Sequence, residues 1–190
     1  MTVAVDHTFI PDLLLVRPGR FEDARGFFVE VYRKDHYEAL GLPSQFVQLN
    51  HSGSARNAVR GLHFQWEPPM GKLMRVLRGN AFLVAVDLRK NSPTFGKWYG
   101  RETNQDENLL IWAPAGFARG FAVLSEQAEI EYLTTGTYNS AAESGIRWND
   151  PAIGVEWPIS APILSSKDET AQTLDQWCRR PESDLPVFRM

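Results

Sequence analysis

The chain has 190 residues, 43% of them hydrophobic and 23% charged, with a formal net charge of −3. That length supports a single domain, residues 1–190, with a sizeable core, and that composition is of the ordinary soluble globular kind. The small negative charge excludes a broad cationic surface for nucleic acid or anionic membrane, and the single cysteine, Cys178, excludes an intrachain disulfide and fits a reducing cytoplasm. No apolar run approaches a bilayer span, and residues 1–7 lack the basic start and apolar stretch of a signal peptide.

In chain order, Leu13–Val16 is a short apolar strand closed by Arg17-Pro18-Gly19. Phe21–Gly26 reads as a turn, and Phe27–Tyr32 alternates as a strand with Phe28, Glu30 and Tyr32 on one face. Asp35–Leu40 is a short helix with Gly41 at its stop. Phe46–Ser52 is a strand with Gln48, Asn50 and Ser52 on a polar face. Val59–Gly79 reads as a hairpin-like segment: a strand carrying Arg60, His63 and Gln65, a bend at Glu67-Pro68-Pro69-Met70-Gly71, then Lys72 and the strand Leu73–Leu77. Proline lacks the ladder donor and glycine tolerates tight turns, so the bend interrupts pairing. Period-two alternation puts His63 and Gln65 on one face and Arg60 on the other.

Ala81–Leu88 is apolar on both faces and so belongs in the middle of a sheet or between two sheets. Asn91–Gly96 has turn chemistry. Trp98–Thr103, Asn108–Ala113, Phe117–Leu124 and Glu129–Thr135 follow as strands, with Pro114-Ala115-Gly116 turning between the middle pair. Residues 145–162 are loop-like and rich in Pro and Trp. Ser166–Trp177 reads as one helix, with Ser166 as N-cap and Asp168 and Glu169 in its first turn, opening a helical tail over about 166–190. Many short strands between Gly/Pro turns, with helices at the margins, predict an all-β jelly-roll barrel or sandwich whose mouth takes one small ligand.

Jelly rolls that bind a metal usually present a His-x-His pair on one strand and a further His after a Pro-x-Gly turn. Here the first position reads His63-Phe64-Gln65, and Arg119 follows Pro114-Ala115-Gly116. Arginine has no lone pair to offer a metal, so no metal is expected. What remains is a cationic pocket with one histidine. Arg60, Lys72 and Arg119 are candidates to hold a developing oxyanion, worth roughly 3 kcal/mol per donor in comparable sites. His63 is a candidate base if an acid orients it. The plain alternatives are a core histidine bonded to a backbone carbonyl and a solvated rim of charge.

Several segments together resemble dTDP-4-dehydrorhamnose 3,5-epimerase and related sugar-nucleotide epimerases. They are D-A-R-G-F-F-V-E at 23–30, Q-L-N-H-S at 48–52, R-G-L-H-F-Q at 60–65, P-P-M-G-K-L-M-R-V-L-R-G at 68–79, V-A-V-D-L-R-K-N-S-P-T-F-G-K-W at 84–98, G-I-R-W-N-D-P at 145–151 and I-L-S-S-K-D at 163–168. The resemblance implies a jelly-roll cupin homodimer, without cofactor or metal, acting on a nucleotide sugar. It implies that His63 removes a proton beside a 4-keto group, that Asp168 is its carboxylate partner, and that Lys72 and Arg60 stabilise the enolate. Tyr132 matches the acid that reprotonates from the opposite face. Arg25, Phe28, Glu30, Gln48 and Asn50 match positions that hold the nucleotide, some of them contributed by the partner subunit, and Tyr138 lines the pocket. Without the resemblance, Tyr132 would read as a core tyrosine.

One departure stands out. The family usually reads F-A-H-G-F where this chain has Phe117-Ala118-Arg119-Gly120-Phe121. Arg119 either faces the sugar and changes what is accepted or which carbon inverts, or turns outward and changes little. The expected activity is epimerisation of a dTDP-4-keto-6-deoxyhexose at C3 and C5. The alternatives are epimerisation at C3 only, another nucleotide's 4-keto sugar, or a sugar-nucleotide-binding cupin without catalysis.

Overall fold

A computed structural model describes residues 2–184, and antiparallel strands dominate it. The strands are β1 (Val3–His7), β2 (Leu14–Pro18), β3 (Arg20–Asp23), β4 (Gly26–Val29), β5 (Gln48–Ala55), β6 (Val59–Gln65), β7 (Lys72–Arg78), β8 (Asn80–Asp87), β9 (Trp98–Asn104), β10 (Leu110–Ala113), β11 (Phe117–Val123), β12 (Gln127–Thr134) and β13 (Glu143–Gly145). Among the described residues three short α-helices, α1 (Lys34–Ala39), α2 (Ser166–Glu169) and α3 (Leu174–Cys178), and a 3-10 turn at Pro181–Asp184 accompany them. None of the described helices is long and apolar enough to cross a membrane.

Six strands form one sheet in the order β1-β2-β10-β7-β12-β5, five form a second in the order β13-β6-β11-β8-β9, and β3-β4 is a separate hairpin. The two larger sheets make the jelly-roll sandwich expected from the short strands and Gly/Pro turns. Its core joins Leu15, Met74, Val76, Ile111 and Ile130 of the first sheet to Leu83, Ala85, Phe117, Phe121 and Val123 of the second. The apolar run of β8 is buried on both faces. Leu83 and Ala85 enter this central layer, whereas Val84 and Val86 pack outward against Ile146, Leu174 and Trp177. A third cluster, with Val16, Tyr37, Leu73 and Trp112, seats α1 against the outer face of the six-stranded sheet.

The sequence expectations differ from this architecture in four places. Residues 59–79 are not a hairpin: β6 pairs with β11 and β13, and β7 pairs with β10 and β12. The bend at 66–71 therefore carries the chain from one sheet to the other. Leu73 and Met74 are both buried, so β7 has two faces to cover and takes neighbours on both edges. The turn expected at 21–26 is narrower, because Arg20–Asp23 and Gly26–Val29 pair as a hairpin; the second strand ends before Glu30 and Tyr32, and Phe28 is exposed. Strands β1 and β13 had no counterpart among the expected elements.

The expected helix over 166–177 is instead two separate turns. Ser165, not Ser166, caps α2, and Thr173 with Gln176 forms a capping box on α3. Between them Gln172 bridges to Ile146 and its carbonyl accepts from the Arg147 N–H. Thr-x-x-Gln competes for helix starts rather than helix interiors, and a sheet edge was available to take the freed backbone. Of the tail expected over 166–190, residues 185–190 lie outside the described residues.

Candidate active site

The site begins at an irregularity between β6 and β11. Arg119 pairs with His63, and Phe121 pairs with Arg60. Two steps on β11 thus match three on β6, and the extra residue reverses the alternation. Arg60 and His63 consequently line the same cavity, although strict period two puts them on opposite faces. The backbones approach closely there. A Cβ on Gly61, whose φ is +133°, would lie 2.6 Å from the Gly120 Cα, and one on Gly120 would lie 2.7 Å from the Arg60 carbonyl oxygen. Glycine at both positions is what lets the strands meet.

The cavity, about 390 Å³, lies between the sheets and is lined by Arg60, His63, Lys72, Arg119, Tyr132 and Asp168 among others. An adjoining recess of about 260 Å³ shares His63, Lys72 and Tyr132 and adds Gln48, Asn50 and Tyr138. The combined space suits a ligand longer than a single sugar ring.

His63 Nε2 lies 2.5 Å from Asp168 Oδ1. The buried Asp168 is fixed by the loop that caps α2: the Ser165 hydroxyl donates to Oδ2 at 2.8 Å and accepts from the Asp168 N–H at 3.2 Å. Burial alone would raise this carboxyl, but the hydrogen bonds from His63, Ser165 and the Gly61 backbone outweigh it and hold it below the ordinary carboxylate value. The imidazole thus faces a fixed negative charge on one side and the cavity on the other.

The half-buried Lys72 ammonium lies 5.0 Å from the centroid of the Tyr132 ring. Burial, then the nearby Arg119 charge, push its pKa down to about 7, against a smaller upward pull from Glu143. Tyr132 moves the other way: burial and Glu143 raise its pKa, while Arg60 and Arg119 lower it, and the net shift is upward. At neutral pH it is a phenol with a proton to give.

Arg119 is 3% exposed. Its Nη1 donates to the carbonyls of Met70 (3.0 Å), Pro114 (3.2 Å) and Ala113 (3.4 Å), whereas Nε and Nη2 have no partner among the described residues. Burial pushes its pKa down to about 9, which leaves it charged at neutral pH. The outward-turned alternative is therefore overturned: the side chain is held inward by three carbonyls and lines the cavity.

Not every expected residue converges. Arg25 and Phe28 sit on the β3–β4 hairpin around a different recess, with Arg25 ion-paired to Asp23 at 2.6 Å and Phe28 59% exposed. Glu30 lies 3.3 Å from His36 and lines neither cavity. Gln65 shares the recess with His63 but is structural in its bonding. Its amide donates to the carbonyls of Pro68 and Thr137 and accepts from the Asn139 N–H, which holds the loop carrying Tyr138. Gln48 accepts from the Tyr138 N–H at 2.9 Å and steadies the same loop. Sequence reasoning gave no site role to Ser165 or Glu143, nor to Ser52, which it placed on the polar face of its strand and which lines the main cavity. Ser165 was one residue from the expected cap. Glu143, opposite Gln65 on β13, is ion-paired to Lys167 and borders the recess; no local pattern marked it.

Among the described residues no three His, Cys, Asp or Glu side chains gather as a metal site. The arrangement offers an oriented imidazole, a protonated phenol, two arginine cations and a lysine whose pKa is about 7 around one cavity. Such a site can take a proton from carbon beside a carbonyl, hold the oxyanion, and return a proton.

Comparison with known proteins points the same way. A family model described as dTDP-4-dehydrorhamnose 3,5-epimerase matches residues 7–176. The chain is 51% identical over 172 residues to a dTDP-4-dehydrorhamnose 3,5-epimerase of Salmonella typhimurium, covering 89% of this chain and 94% of that one. It is 45% identical over 179 residues to one from Neisseria gonorrhoeae, covering 94% of this chain but only 54% of that longer relative. Among solved structures, the dTDP-6-deoxy-D-glucose-3,5-epimerase of Legionella pneumophila, in complex with dTDP-4-keto-L-rhamnose, superposes with a TM-score of 0.93 at 38% identity, covering 100% of both chains.

Proposed function

The chain belongs to the dTDP-4-dehydrorhamnose 3,5-epimerase family, and we propose that it epimerises a dTDP-4-keto-6-deoxyhexose at C3 and C5 in deoxysugar biosynthesis. The observation that carries this reading is that His63 and Tyr132 line one cavity from strands of two different sheets, with Lys72, Arg60 and Arg119 around the same space. Inversion of a carbon beside a ketone needs a base and an acid on opposite faces of the ring, and fixed positive charge at the ketone oxygen.

In this mechanism His63 takes the proton from the carbon beside C4. The C–H electron pair becomes a carbon–carbon double bond, and the carbonyl pair moves onto O4. Lys72, Arg60 and Arg119 supply charge to that oxyanion. When the double bond collapses, the carbon takes the Tyr132 phenol proton on the opposite face. The resulting phenolate and imidazolium then exchange protons with solvent. Asp168 acts through His63, orienting the ring and balancing its charge.

The nucleotide would extend into the recess beside Gln48, Asn50 and Tyr138. Arg25, Phe28 and Glu30 fit that role only as contributions to a second copy's site, so the reading includes a homodimer. Its support is the set of exposed apolar side chains Phe21, Phe27, Phe28, Val47 and Leu49; light scattering at the monomer mass would refute it. A cytoplasmic setting suits the one-cysteine composition.

An NMR time course with dTDP-4-keto-6-deoxyglucose in deuterated water tests the activity. Deuterium at C3 and C5 with inversion is expected. Binding without label at either carbon would leave a binding protein and overturn the reading.

A further inference from the structure

Arg119 is the most deeply buried of the three basic side chains that line the cavity. No carboxylate pairs with it among the described residues, and it lies directly across the β6–β11 ladder from His63. A buried, unpaired guanidinium is costly unless something completes it. Three backbone carbonyls occupy Nη1 and fix the side chain in place. The remaining edge, Nε and Nη2, is buried and without a partner among the described residues; it is one of the two edges by which a guanidinium can grip two neighbouring oxygens at once.

The two deprotonations proposed above do not offer that edge the same ligand. Loss of the proton at C3 gives a C3=C4 double bond, with the O3 hydroxyl and the O4 oxyanion side by side in one plane. Loss of the proton at C5 gives a C4=C5 double bond, with O4 beside the C6 methyl and the ring oxygen on the far side of the double bond. Only the first presents two exocyclic oxygens to a planar fork.

Building on the epimerase reading, we propose that Arg119 is a specificity-determining residue that grips O3 and O4 of the C3 enediolate in bidentate fashion, so that exchange at C3 outruns exchange at C5. An interaction realised mainly in one of two transition states changes the ratio of their rates. The depressed Lys72 pKa is consistent with Arg119 and Lys72 converging on one oxyanion position.

The test compares wild type with Arg119→Lys in deuterated water, with initial label incorporation at C3 and C5 of dTDP-4-keto-6-deoxyglucose read by NMR. A lysine ammonium can satisfy the Met70, Ala113 and Pro114 carbonyls but cannot offer a fork. The expected result is faster exchange at C3 in wild type and a fall in the C3:C5 rate ratio of about tenfold or more in the variant, a modest fraction of what one oxyanion donor is worth. An unchanged ratio overturns the proposal and makes Arg119 a structural tether. Should the variant fail to fold, wild type with a 3-deoxy analogue gives the same reading. Without O3, the ratio, corrected for buffer-catalysed exchange of the same analogue, should fall as far; a ratio equal to the parent's overturns the proposal. Label at neither carbon in wild type would instead overturn the epimerase reading and this inference with it, whereas label at both with an indifferent ratio overturns this inference alone.

Discussion

His63 and Asp168 stand 105 positions apart in the chain, yet Nε2 of one lies 2.5 Å from Oδ1 of the other. The contact depends on the Ser165 cap, which turns the Asp168 carboxyl toward β6. Asp168→Asn keeps the shape and removes the charge that an imidazolium would face. The variant should fold and bind a dTDP-sugar, with kcat for solvent exchange falling about 10²-fold or more, in the range typical of a compromised general base.

The same carboxylate has a stability signature. Its folded-state pKa lies below the ordinary value, so it stabilises the fold above about pH 4, and that contribution is lost as pH falls through the folded value. The Tm deficit of Asp168→Asn relative to wild type should therefore be largest near neutrality and shrink below pH 4. A deficit that stays constant down to pH 3 would contradict the assignment.

His63→Ala and Tyr132→Phe should differ in kind. Without the base no proton leaves carbon, so His63→Ala should abolish deuterium uptake. Tyr132→Phe keeps the base, so some exchange should persist by return from the same face while inversion falls. NMR distinguishes label with retained configuration from label with inversion.

Lys72 is expected to destabilise the empty protein. Its pKa is about 7 in the fold and near 10.5 in an unfolded chain, so between those values the unfolded state binds the extra proton and stability rises with pH. Lys72→Met should raise Tm most at or below pH 7, and the gain should fade towards pH 10, while deuterium exchange slows about 10²-fold through loss of an oxyanion donor. Melts at a series of pH values check the first part.

Asp87 anchors the far end of the strand that supports β11. Fully buried, it accepts from the Arg89 side chain at 2.9 Å, from Ser92 at 2.6 Å and from Thr94 at 2.8 Å. Asp87→Ala leaves the Arg89 charge short of its buried partner and should cost about 3–5 kcal/mol in urea unfolding. The denaturation midpoint should drop with little change in m-value.

Much of this molecule was written locally. The two-sided apolar pattern of Ala81–Leu88 placed β8 inside the sandwich, Gly41 marked the end of α1, and Asn91–Gly96 turned where its chemistry required. The family motifs pointed to His63, Lys72, Tyr132 and Asp168, and all four line one cavity. Tertiary structure alone decided that β6 and β7 part into different sheets, that one extra residue on β6 brings Arg60 round to the side of His63, that the last helix divides at Gln172, and that Arg119 points inward. Alternation, capping and turn preference act over a few residues and can be read from them. Strand partners, bulges and the fate of a buried charge depend on atoms supplied by distant segments, which meet only once the two sheets have closed on each other.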